Sequence, residues 1–249
     1  MMPRAVLLDI SGVLHNDGVP LPKAVEAVSR LQEASVALRF VTNTSRKTGA
    51  AVYAELRQMG FEVERSQIHT APSVLKRYVQ QHGLRPYLLI HDNLIPEFDD
   101  IDETHPNAVV ICDAEYRFDY AHLDAAFQIL QTGAPLLVVG TNRYFHRQGS
   151  LHLDAGPFVK ALEYAADTQA RVLGKPAPGF FQGVLDEVGV DAGEALMVGD
   201  DAEADVAAAI QAGLQGCLVR TGKYRHGDER RTLGCRLEKD LGALVESLG

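Results

Sequence analysis

Short, mostly apolar runs recur along the chain, separated by stretches of helical periodicity. Residues 5–8 (AVLL), 37–42 (ALRFVT) and 195–199 (ALMVG) are such runs. A strand without polar alternation must be covered on both faces, as in a parallel sheet flanked by helices. The segments between them supply those helices. One is predicted over 22–34, with Val25, Val28 and Leu31 on one face and Pro22 in its first turn. Others are predicted over 49–59, ended by Gly60, over 178–188, before Gly189, and over 202–212, ended by Gly213. A strand at 216–219 and a helix around 240–248 close the chain.

The middle of the chain has its own elements. A helix over 73–82, strands at 87–91, 108–112 and 136–139, and a helix near 121–132 hold enough apolar residues for a separate small core. The acidic stretch from Asp92 to Glu103 reads as a solvated loop. The expected architecture is α/β: a doubly wound, Rossmann-like parallel-sheet core from 1–72 and 173–249, with an α/β domain, 73–172, inserted in it.

Composition narrows the class. The 249 residues are 46% hydrophobic and 23% charged, as in globular rather than disordered chains. Twenty-four Lys and Arg against 33 Asp and Glu leave a net charge of −9, which disfavours nucleic acid and anionic membranes as partners. No run approaches the roughly 20 apolar residues that cross a bilayer, and no segment reads as a signal peptide. Cys112, Cys217 and Cys235 lack the spacing of a disulfide framework or a zinc site. The expectation is a soluble, cytoplasmic protein.

Polar residues sit just past the apolar runs. Asp9 ends the first, Thr42 and Asn43 the second, Asp200 and Asp201 follow ALMVG, and Lys175 follows the short run RVLG. Ligands of an open parallel sheet bind at the carboxyl ends of its strands, so these groups are expected at one edge. Two carboxylates suit a hard divalent cation such as Mg²⁺. A lysine and a hydroxyl suit a phosphoryl group, and together the set describes phosphoryl transfer. Asp205 reads equally well as an acid favoured by a helix dipole. A dinucleotide-binding protein would need Gly-x-Gly-x-x-Gly after its first strand, and Asp9-Ile10-Ser11-Gly12 is not that.

The runs DISGVL (9–14), TN (42–43), GKP (174–176) and GDDAEAD (199–205) resemble the four motifs of the haloacid dehalogenase superfamily of phosphatases. The insert resembles the α/β cap of its class IIA members. Longer stretches, among them GLRPYLLIHD (83–92), GPFVKALEYA (156–165) and VRTGKYR (219–225), are similar to the branch that cleaves inorganic pyrophosphate and P–N bonds. The resemblance implies Asp9 as nucleophile, a catalytic Lys175 paired with both Asp9 and the phosphate, Mg²⁺ held by Asp9, the Ser11 carbonyl and Asp200, and phosphoryl oxygens held by Ser11, Thr42, Asn43 and Lys175. It also implies a homodimer, and a phosphorylated small molecule or protein side chain as substrate.

Ser11 departs from the superfamily pattern, in which a second Asp two residues after the nucleophile serves as general acid and base. The branch just described resembles this chain in having Ser there. Losing that group should cost roughly 10²–10⁴-fold on substrates needing the proton transfer, so leaving groups that depart unaided are expected. His15 is a candidate stand-in base, though a packing histidine is the commoner case. Arg143 and Tyr144 stand where sugar-phosphate members carry an acidic residue, which suits an anionic substrate. The competing readings are a broader phosphomonoesterase and a phosphate-binding regulatory protein with weak turnover.

Overall fold

The computed structural model describes residues 2–147, 150–232 and 234–248. In chain order the elements begin with β1 (Ala5–Asp9), a small hairpin of β2 (His15–Asn16) and β3 (Val19–Pro20), α1 (Ala24–Glu33), β4 (Ala37–Thr42), α2 (Gly49–Gln58) and β5 (Ile68–Thr70). Then come α3 (Ala71–Gln81), β6 (Pro86–Leu89), β7 (Ala108–Ile111), α4 (Tyr120–Leu130) and β8 (Leu136–Val138). A hairpin of β9 (Tyr144–Arg147) and β10 (Ser150–Leu153) leads to α5 (Gly156–Ala166) and β11 (Arg171–Val172). The chain ends with α6 (Pro178–Val188), β12 (Ala195–Gly199), α7 (Ala208–Gln211), β13 (Gln215–Val219), β14 (Arg236–Glu238) and α8 (Leu241–Leu248).

These elements form two compact units. One comprises residues 1–42, 49–69 and 175–249, the other 43–48 and 70–174. The first is built on a six-stranded sheet in the order β14-β13-β12-β1-β4-β5. The pairs from β14 to β4 are parallel, with Asp9 opposite Val41 and Leu8 opposite Val198. Every residue of β1 and β12 is buried, which explains their unbroken apolar runs. Val6 and Leu8 of β1 pack with Phe40, with Val28 and Leu31 of α1, Leu56 of α2 and Leu244 of α8. The sheet grows from β1 to β4 and β5 on one side, and later to β12, β13 and β14 on the other. Its topological switch point therefore lies between β1 and β12, the place where such sheets open a crevice at their carboxyl ends.

The second unit holds a four-stranded sheet in the order β11-β8-β7-β6. Alternate residues of β7 serve two cores: Val110 packs with Leu75 and Val79 of α3, whereas Val109 and Ile111 pack with Ala126 of α4 and Val159 of α5. Two expectations change here. The stretch after Asp92 is not simply a solvated loop, because 92–97 makes a 3₁₀ turn that buries Leu94 and delivers Phe98 to the core. The helix predicted over 202–212 opens with wide π-type turns over 202–207, in which the Val206 N–H donates to the Asp201 carbonyl at 3.3 Å. The β9–β10 hairpin carries too short a pattern to be anticipated. No helix among the described residues is long and apolar enough to cross a membrane.

Candidate active site

The carboxyl edge of the first sheet brings together four charged side chains from distant parts of the chain. Asp9 is the last residue of β1, and Asp200 follows β12, its neighbour. Asp9, Lys175, Asp200 and Asp205 are 6, 4, 2 and 2% exposed, too buried to be ordinary surface ions. The Lys175 ammonium donates to Asp9 Oδ1 and, at 2.7 Å, to Asp205 Oδ1. One oxygen from each of Asp9, Asp200 and Asp205 lies within 4.8 Å of the others.

Asp200 is held from one side only. Its Oδ2 accepts the Lys223 N–H at 2.7 Å, while its Oδ1 is buried and has no hydrogen-bond partner. Two glycines make room for it. A Cβ on Gly12 (φ +88°) or on Gly222 (φ +58°) would lie 2.0 Å from Asp200 Oδ2. Gly199 does the same for Asp205, whose Cβ would come within 2.3 Å of an added methyl. The Thr221 hydroxyl donates to the Gly12 carbonyl and ties the two glycine-bearing loops together.

The electrostatics follow from burial. Three buried carboxylates face one buried ammonium, with the more exposed Lys223 ammonium also acting on them. Burial pushes the Asp9 carboxyl up to about 7, with Lys175 pulling it back and Asp205 and Asp200 adding to the rise. Burial likewise pushes Asp200 up to about 6. Burial works against the Lys175 ammonium too, but Asp205 and Asp9 more than offset it and keep it charged. Hard oxygen donors, an excess of buried negative charge and an orphaned carboxylate oxygen fit a divalent cation of the Mg²⁺ type. Asp9 and Asp200, with Asp205 beside them, are the groups able to hold it.

The other expected residues are placed as follows. Thr42 ends β4, the other neighbour of β1, and so shares its edge. Asn43, the next residue, belongs to the second unit. Ser11 is exposed in the loop after β1, where its backbone bridges to His15. Lys175 does not follow a strand of the first sheet: the run before it is β11, which pairs with β8 in the second unit. His15 Nδ1 accepts the Gly18 N–H at 3.3 Å and so serves the β2–β3 hairpin. Asp201 caps the following helix, accepting the N–H groups of Glu203 and Ala204. Arg143 and Tyr144 line a cavity of about 540 Å³ within the second unit.

Sequence reasoning left Asp205 undecided and missed Gly12, Gly222 and the Lys223 N–H. The five-residue step from Asp200 to Asp205 was visible, but only the π-type turns show which way Asp205 points.

A family model described as haloacid dehalogenase-like hydrolase matches residues 6–103, and a second, HAD-hydrolase-like one matches 172–243. The chain belongs to the haloacid dehalogenase-like hydrolases. Relatives in this family include the human phospholysine phosphohistidine inorganic pyrophosphate phosphatase, 43% identical over 232 residues, 91% of this chain and 86% of that one. Human haloacid dehalogenase-like hydrolase domain-containing protein 2 is 42% identical, over 92% and 88% of the two chains. Among solved structures, 4-nitrophenylphosphatase from Thermotoga maritima shares the fold with a TM-score of 0.88 and 25% identity, over 99% and 98%. A glycerol phosphate phosphatase from Mycobacterium tuberculosis, solved in complex with magnesium, has a TM-score of 0.83 at 24% identity, over 98% of this chain and 77% of that one.

Proposed function

We propose that this hydrolase is a Mg²⁺-dependent phosphatase that works through an aspartyl-phosphate on Asp9 and takes inorganic pyrophosphate or P–N substrates such as phosphohistidine and phospholysine. The observation that carries this reading is the buried cluster itself: a carboxylate at a strand end, held by a lysine, beside a second carboxylate with one oxygen unsatisfied. Lys175 fixes one oxygen of Asp9 and leaves the other to attack phosphorus. As the Asp9–phosphorus bond forms, the bond to the leaving group breaks. Water then attacks the acyl phosphate, releasing inorganic phosphate and restoring the Asp9 carboxylate. Thr42 and Asn43 hold phosphoryl oxygens, and Asp205 keeps Lys175 turned towards Asp9. A divalent cation held by Asp9, the Ser11 carbonyl and Asp200 neutralises the phosphoryl oxygens when bound.

Ser11 points to the substrate class. A serine hydroxyl cannot deliver a proton at neutral pH as a carboxyl can, so phosphate or a protonated nitrogen is a better leaving group than an alkoxide. The name of the human relative at 43% identity, a phospholysine phosphohistidine inorganic pyrophosphate phosphatase, agrees with that chemistry. A broader phosphomonoesterase is the second reading, favoured by the 4-nitrophenylphosphatase with the same fold. Phosphate release from pyrophosphate, a phosphoramidate and a sugar phosphate, each with and without Mg²⁺ and with an Asp9→Asn control, separates them. Faster turnover of the sugar phosphate would favour the second reading. No Asp9-dependent release from any of them would leave a phosphate-binding protein.

A further inference from the structure

A second lysine, Lys223, stands at the edge of the carboxylate cluster in the first unit. Its N–H holds Asp200 Oδ2 at 2.7 Å, which fixes the root of its side chain beside the site. The side chain is 71% exposed, and its ammonium lies 3.6 Å from Asp201 Oδ2, beyond hydrogen-bond distance. What that ammonium loses in hydration is more than offset by Asp201, Asp200, Asp205 and Asp9, so it stays charged. Lys175, by contrast, is 4% exposed and already engaged by Asp9 and Asp205. Asp201 is engaged as well, since its Oδ1 accepts the N–H groups of Glu203 and Ala204. Of the two ammonium groups, Lys223 is the one that can turn to a ligand without breaking a buried ion pair.

The backbone brings Lys223 close to the loop that carries Ser11. The Thr221 hydroxyl donates to the Gly12 carbonyl, and a Cβ on Gly222 would lie 2.6 Å from Gly12 Cα. Ser11 and Lys223 are the immediate neighbours of those two touching glycines. Ser11 has no proton to give a leaving group at neutral pH. A substrate with two phosphates sets one against Asp9 and must seat the other along this edge. The Asp200, Asp201 and Asp205 carboxylates repel that second anion, and Lys175 is enclosed among them. Lys223 is the cation that faces them from the solvent side.

We propose that Lys223 receives the second, departing phosphate of pyrophosphate, so that a charge does at the leaving group what a proton would otherwise do. This rests on Asp9 acting as the nucleophile of a phosphatase. Asp9 attacks the near phosphorus, the bond from that phosphorus to the bridging oxygen breaks, and the oxygen keeps the electron pair. It leaves as hydrogen phosphate, whose proton was already on the pyrophosphate, so no proton moves in this step. A lysine ammonium is a compact point charge with rotatable donors, suited to an anion whose charge grows as the bond breaks. A P–N substrate gains little from it, because its nitrogen departs protonated and takes no negative charge away. Lys223 thus sets the preference for the anhydride over the P–N bond.

The test measures kcat/KM for pyrophosphate and for phosphoramidate, both with Mg²⁺, in the wild type, Lys223→Met and Lys223→Arg. Both variants keep the N–H that holds Asp200. In Lys223→Met the ratio of the pyrophosphate to the phosphoramidate value should fall by about 10- to 100-fold, and Lys223→Arg should recover most of it. A lysine that only screens the carboxylates or supports the fold would move both substrates together. An unchanged ratio in Lys223→Met overturns the proposal. Calorimetry adds a readout that needs no turnover, using methylenediphosphonate, whose P–C–P bridge is not hydrolysed, and inorganic phosphate, each with Mg²⁺. Lys223→Met should weaken the diphosphonate by about 10-fold or more relative to phosphate. If the wild type releases no phosphate from either substrate, the functional reading falls and this binding difference alone decides the role of Lys223. Equal weakening of the two ligands, or none, then overturns it.

Discussion

Asp9, Asp200 and Asp205 crowd three carboxyl groups round one buried ammonium, and holding them all ionised out of water is costly. Removing one carboxylate should therefore move stability and activity in opposite directions. Asp200→Asn is expected to stabilise the metal-free protein by about 1 kcal/mol, or roughly 2–4 °C in a chain of this size. The same variant should lose the thermal shift that Mg²⁺ gives the wild type. Melting curves with chelator and with Mg²⁺ check both halves. Asp9→Asn should remove at least about 10³-fold of phosphate release, because no other group at the strand end can take the nucleophile's place. At this scale Asp9, Thr42 and Asp200 were legible because each ends or follows a strand-like, mostly apolar run. Asp205 was not, since a carboxylate in a first helical turn looks the same whether it faces solvent or a buried lysine.

At the scale of elements, the loops that follow β1 and β13 touch through two glycines, and their closeness is what seats Asp200. Gly222 has a φ of +58°, and a methyl there would lie 2.0 Å from Asp200 Oδ2 and 2.6 Å from Gly12 Cα. Gly222→Ala should thus cost about 1–3 kcal/mol in stability and, by displacing Asp200, raise the Mg²⁺ concentration needed for half-maximal turnover. A Mg²⁺ titration of activity measures the second effect, and an unchanged midpoint would show that the loop contact does not set the metal position. The long apolar strands and amphipathic helices were readable from their periods. The short elements were not: β11 gives no sign in its two residues of which sheet it joins. The π-type turns after Asp201 escape a 3.6-residue pattern by their nature.

For the whole molecule, the site links stability to pH and metal together. Asp9 and Asp200 have carboxyls raised to about 7 and about 6 from an ordinary 3.8, so the folded chain binds more protons than the unfolded one between about pH 4 and 7. Where the folded state holds the extra protons, stability falls as pH rises, and this contribution is lost through that window. Carboxylates such as Asp119, lowered by the His122 N–H, act in the opposite sense, so the metal-free curve alone mixes the two. The difference between Mg²⁺ and chelator isolates the site. A divalent cation binds the ionised carboxylates and competes with their protons, so its stabilisation should be small at pH 5 and full by about pH 8. Melting temperatures at successive pH values, with excess chelator and with excess Mg²⁺, give that difference directly. It should widen between pH 5 and 8 in the wild type and stay narrow in Asp200→Asn. A gap of the same size at both ends would mean that the cation binds elsewhere than at these carboxylates.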